Sequence, residues 1–142
     1  MNTSEMALDL FKKGFNCSQS VFCAFGSQAG LSQEACLRIA GSFGADMARR
    51  GETCGAVTGA LMVLGLRHGM VKEGDTQAKK RNYDEAEKFM SEFEKRNGSV
   101  VCRELLGCEI GTPEGSKFAA DNKLTTTLCP KLVASAVEIL GC

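Results

Sequence analysis

Eight cysteines in a chain of 142 residues carry most of the chemical potential of this sequence. Thiolates are soft ligands for iron–sulfur clusters and zinc, and they are the nucleophiles of thiol–disulfide exchange. Few other residues compete with them. The single histidine, His68, follows Arg67 near an expected helix end, where a cation is favourable anyway. It reads as such a cation rather than as the base of a cysteine hydrolase. A Rieske centre needs two histidines and is excluded. No Cys-x-x-Cys occurs, so a local thioredoxin-type dithiol and a zinc ribbon are absent, as is the Cys-x-x-Cys-His of covalent haem. Serine nucleophile motifs are also missing.

The positions of the cysteines sort them into two groups. Cys17 follows Asn16, a good helix cap. Cys54 opens a glycine-rich apolar run. Cys102 lies in the first turn after Ser99, and Cys129 directly precedes Pro130. All four therefore fall at expected helix N-termini. Free N–H groups and about half a positive charge stabilise an anion there. Depressed thiol pKa values and good ligand or nucleophile character are expected. Cys23 and Cys36 instead lie among Val, Phe, Leu and Ile inside expected helices, as small core hydrophobes. Cys108 lies past a helix end, and Cys142 reads as a solvated bystander. Cys17-x5-Cys23-x2-Gly26 recurs as Cys102-x5-Cys108-x2-Gly111. Their flanks differ, and six helical residues turn by about 600°, so the two cysteines would face different ways. That match reads as coincidence. Spacing alone leaves metal binding, redox chemistry and packing open for the first group.

Helices must position these residues. Ser4 can cap a helix through about Lys13, Asn16 one through about Gln28, and Ser32 a third carrying Ala35, Leu37, Ile39 and Ala40. Cys54 to His68 is apolar on nearly all sides and should be a buried central helix. Its Gly55-x-x-x-Gly59 spacing suits close helix packing or close approach to a cofactor; no strand precedes it, so it is not a phosphate loop. Asp75 or Thr76 to Asn97 is amphipathic, with Tyr83, Ala86, Met90 and Phe93 recurring at helical spacing. It suits packing within one chain or sharing in a homodimer. Ser99 can cap a short helix through Leu106. Gly107 to Asn122 reads as a long loop. Pro130 suits the first position of a last helix, Lys131 to Leu140. The expectation is an all-α, single-domain bundle of about six to seven helices over residues 1–142.

Composition narrows the function. Hydrophobic residues make up 44% and charged residues 24%, as in globular domains. Lys+Arg and Asp+Glu both number 17, so the basic excess of a nucleic-acid binder is missing. With no Trp and one Tyr, no aromatic platform for bases or sugars is expected. No apolar run reaches the roughly 18 residues of a membrane span, and no signal peptide is visible. A cytoplasmic protein is expected, where cysteines lean towards metal or redox chemistry.

Four pieces in order carry a resemblance. They are Asn16-Cys17-Ser18-Gln19-Ser20-Val21, Cys54-Gly55-Ala56-Val57-Thr58-Gly59-Ala60, Cys102-Arg103-Glu104-Leu105-Leu106-Gly107 and Cys129-Pro130-Lys131-Leu132-Val133. Together they resemble the C_GCAxxG_C_C family of redox-active proteins, over essentially the whole chain. The family is similar to part of the split-Soret cytochromes, where such cysteines accompany a 2Fe–2S cluster. This sequence lacks the haem motifs. The resemblance implies an iron–sulfur cluster on Cys17, Cys54, Cys102 and Cys129, with Gly55 and Gly59 close to it and an electron-transfer partner protein. Cys108 is the substitute ligand. Arg49, Arg50 or Arg103 would add to the field or remain solvated surface. A thiol–disulfide or redox-sensing protein whose metal-free redox cysteines are these same four, and a structural zinc module, are the alternatives; whether the chain is an enzyme stays open.

Overall fold

The computed structural model describes residues 1–141, so Cys142 lies outside the described residues. Capping chemistry sets where its helices begin. Asn2 starts α1 (Thr3–Lys12) and Asn16 starts α2 (Cys17–Gly26). In both, the Asn side chain accepts the N–H three residues on at 2.8 Å, and that residue, Glu5 or Gln19, accepts the Asn N–H in return. These are capping boxes. Ser4 is therefore inside α1 and not its cap. Ser32 does cap α3 (Gln33–Ala40), accepting from Ala35 N–H at 3.1 Å.

A single turn, α4 (Gly44–Ala48), follows, and then α5 (Gly55–His68), α6 (Thr76–Asn97), α7 (Cys102–Leu106), α8 (Pro113–Asp121), α9 (Leu124–Thr127) and α10 (Cys129–Leu140). Seven of these have eight or more residues, which is the expected all-α bundle. Among the described residues the only extended pairing is an isolated antiparallel bridge between Thr53 and Val101. No described helix is long and apolar enough to cross a membrane.

α5 runs through the centre, with Ala56, Val57 and Ala60 fully buried. It packs on α2, α6 and α10, whose Val21, Phe93 and Val133 are equally buried. Each such side chain contributes about 1.5–3 kcal/mol. Gly55 and Gly59 make the α2 contact possible. A Cβ on Gly59 would lie 2.7 Å from the Ser18 carbonyl oxygen, and one on Gly55 would lie 3.1 Å from the Cys17 Cβ. Close helix packing is the role the structure shows for both.

Two segments depart from expectation. The supposed loop 107–122 contains α8, because Thr112 accepts the Gly115 N–H at 3.0 Å and Pro113 follows at the first position, where its missing N–H costs nothing. Gly107, Gly111 and Gly115 hide this helix from a reading that treats glycine as a breaker. Ser99 does not cap α7, which begins at Cys102; its hydroxyl accepts from Val101 N–H and donates to Glu104. The turn α4 is also unusual. Ala45, Asp46, Met47, Ala48 and Arg49 all have φ between 49° and 73°, a left-handed run without a glycine.

Candidate functional site

Four helix starts converge. Cys17, Cys102 and Cys129 are the first residues of α2, α7 and α10, and Cys54 caps α5. All four cysteines line one cavity of about 180 Å³, walled by Phe11, Leu105, Leu106, Ile110 and Leu132. Backbone pairing sets two of them together. Cys54 N–H donates to the Val100 carbonyl at 2.8 Å, and Cys102 N–H donates to the Glu52 carbonyl at 2.7 Å. These bonds flank the Thr53–Val101 bridge and bury both thiols. On another side of the chamber the Cys17 thiol donates to Cys129, and both are partly exposed.

Helix N-termini were expected to lower all four thiol pKa values, and only Cys129 follows. The bond from Cys17 is the main cause, so Cys129 ionises first and Cys17 keeps the proton, its own pKa raised by that bond and by burial. Burial and then the nearby Asp46 carboxylate push Cys54 up to about 12, although the Ala56 and Val57 N–H groups point at its sulfur and pull the other way. Burial, followed by the Asp46 carboxylate alongside, raises Cys102 further. Desolvation in a small apolar chamber outweighs the terminal dipole.

Asp46 is the member of this site that sequence reasoning missed. It lines the chamber, is only 7% exposed, and accepts the Gly55 N–H at 2.7 Å through Oδ1. Its place depends on the left-handed turn, which no periodicity signals. Cys108 does not line the chamber, nor do Gly55 and Gly59. Arg49, Arg50 and Arg103 are exposed, and Arg103 faces Glu52 at 3.6 Å. Cys23 and Cys36 belong to the apolar core, as expected.

The donor set is four soft thiols and one carboxylate. Among the described residues no group of three His, Cys, Asp or Glu side chains is gathered tightly enough to hold a single metal ion as it stands. The thiols instead ring a volume larger than one ion.

Comparison with known proteins agrees with the cysteine pattern. A family model described as "Putative redox-active protein (C_GCAxxG_C_C)" matches residues 15–141. No curated protein and no solved structure matches the chain. With nearly all of its length matched, the chain belongs to the C_GCAxxG_C_C family of redox-active proteins.

Proposed function

We propose that the chamber holds a 2Fe–2S cluster through Cys17, Cys54, Cys102 and Cys129, and that the protein carries electrons to and from a partner protein in the reducing cytoplasm. The observation that carries this reading is the convergence of these four thiols, from four separate segments, on one apolar cavity. The donor set fits the group: four thiolates complete such a cluster, and they stand here as two neighbouring pairs. When bound, the cluster would supply one-electron transfer. The chain's own contribution is to desolvate the site with Phe11, Leu105, Leu106, Ile110 and Leu132, and to direct the Ala56 and Val57 N–H groups at the Cys54 sulfur. Such bonds to sulfur raise a reduction potential. Three of the thiols hold their protons tightly, so loading releases protons and is favoured by rising pH. The test is purification without oxygen or chelator, followed by iron, zinc and acid-labile sulfide assays and a visible spectrum. Iron and sulfide in equal amounts with broad visible absorbance support the cluster; one zinc per chain, or no metal, overturns it.

The Cys17–Cys129 pair favours a second reading, thiol–disulfide exchange without metal. The Cys129 thiolate would attack a small disulfide and release one thiolate. Cys17, losing its proton to solvent, would then displace the second thiolate and close an internal disulfide. The external disulfide is reduced to two thiols as the two cysteines are oxidised. Loss of two free thiols per chain on mild oxidation of a metal-free protein, abolished by Cys129→Ser, would support this reading over the first.

A further inference from the structure

Building on the cluster reading, we propose that Asp46 is a fifth donor of this site, a carboxylate placed to take over from Cys102 as ligand to the group the chamber holds. Three independent features meet at this residue.

The first is the backbone. Five successive non-glycine residues, Ala45 to Arg49, are left-handed. Each costs roughly 1–2 kcal/mol relative to the right-handed form. Strain of this kind persists only where the surroundings over-determine it, and it collects at functional sites. The surroundings here are specific. The Asp46 carbonyl accepts the Glu52 N–H at 3.1 Å. Gly44 lies so close to Asn16 that a Cβ would overlap its side chain, and Gly111 packs on the Arg49 carbonyl. The result of this conformation is that Ala45 and Asp46 line the chamber.

The second is the direction of the side chain. Asp46 is 7% exposed, and Oδ1 is fixed by the Gly55 N–H at 2.7 Å, one residue from the Cys54 ligand. The same carboxylate neighbours the Cys102 thiol, so one wall presents a sulfur and an oxygen side by side.

The third is the charge. No Lys, Arg or His among the described residues forms an ion pair with Asp46. Burying a carboxylate without a cation is costly. A structural clamp on Gly55 needs no charge, since Asn would accept the same N–H and tolerates a left-handed backbone equally well. Carboxylate oxygen is, however, an ordinary ligand for iron and zinc. In place of the Cys102 thiolate it leaves the charge of the ligand set unchanged, which a neutral Asn at this position does not.

The test uses the full chain, expressed and purified without oxygen, as wild type and as Cys102→Ala, Asp46→Asn, the double variant and Cys17→Ala. Iron and acid-labile sulfide per chain, the visible spectrum and the Mössbauer isomer shift are recorded for each. Cys102→Ala is expected to keep at least half of the wild-type iron with a shifted spectrum, because Asp46 substitutes. The double variant is expected to fall at least tenfold, to background. Cys17→Ala is expected to lose its iron although Asp46 is intact. A Cys102→Ala chain without iron, or a double variant as loaded as the single one, overturns the proposal. Should the double variant fail to fold, the isomer shift of Cys102→Ala decides: an oxygen-ligated iron supports the proposal, and iron with sulfur ligands alone overturns it. A wild type that takes up no iron and sulfide overturns the cluster reading and this inference together. A loaded wild type beside an empty Cys102→Ala overturns this inference alone.

Discussion

Two of the neighbouring thiol pairs among the described residues differ sharply in what surrounds them. Cys17 and Cys129 border the chamber, while Cys23 and Cys36 join α2 to α3 inside the apolar core. Burial does not separate the two regions, since it pushes both the chamber thiol Cys54 and the core thiol Cys23 up to about 12. Position along the helix does. The chamber cysteines sit at a cap or a first residue, where the first backbone N–H groups lack a partner four residues back in the helix and are taken up from outside it, as by the Val100 and Glu52 carbonyls and Asp46. Cys23 and Cys36 sit in mid-helix, where those groups are spent on the helix itself. Space differs as well. A Cβ on Gly26 would lie 2.4 Å from the Cys36 sulfur, so the core pair has no room for a guest. A thiol becomes a site through what it opens onto.

The sharpest break in this comparison is substitution on each side of it. Cys17→Ser, Cys54→Ser and Cys129→Ser should each abolish iron and sulfide retention, because serine oxygen is a harder and far less acidic ligand. Cys36→Ala should retain the full complement and lose about 1–2 kcal/mol of stability to a small cavity, read from urea unfolding. Iron loss in Cys36→Ala with the fold intact would erase the distinction between the two regions.

A smaller effect is expected where the chamber meets the core. Gly59→Ala forces a methyl against the Ser18 backbone, which cannot yield as a flexible side chain would. Overpacking of this kind costs about 1–3 kcal/mol. Because α2 carries Cys17 at its start, separating α2 from α5 should also lower iron content in proportion. Gly65→Ala is the control, since its added Cβ meets nothing within 4 Å.

That contrast also shows how much was legible beforehand. The helical class, the buried α5 and the division of the cysteines follow from caps and periodicity, which are local properties. Asn16, Ser32 and the Gly55-x-x-x-Gly59 spacing all act where they were expected. Asp46 was invisible because its role depends on five backbone torsions that only tertiary contacts enforce. α8 was missed because three glycines masked a Thr-Pro cap. The thiol pKa directions were misjudged for a related reason: the helix terminus is readable from sequence, and the depth of burial opposing it is not.

Burial of the thiols has a consequence for stability against pH in the metal-free chain. A thiol whose folded pKa is raised binds its proton more tightly folded than unfolded. Its stabilising effect is present below the unfolded value of about 8.5 and is lost as pH rises towards the folded one. Cys54 and Cys23, both at about 12, should therefore make the urea midpoint fall steadily between pH 9 and pH 12. Cys23→Ala should flatten part of that slope from the core side, and Cys54→Ala part of it from the chamber side. A midpoint constant over this range would mean that neither thiol is as desolvated as its position indicates.

The smallest effect alters a single rate. Only Cys129 among the chamber thiols is held below its ordinary pKa, through the bond from Cys17. Thiolate is the reactive form, so in the metal-free protein near pH 7 iodoacetamide should label Cys129 first, with Cys54 and Cys102 last. Cys17→Ala removes the donor and should slow Cys129 labelling, despite opening the chamber to reagent. Cys17→Ser supplies a hydroxyl donor in its place and should restore part of the rate. Accessibility alone predicts the opposite order for Cys17→Ala, since a smaller neighbour exposes more of the sulfur. The sign of that one rate change therefore tells whether the chamber pair is coupled through a proton or merely adjacent.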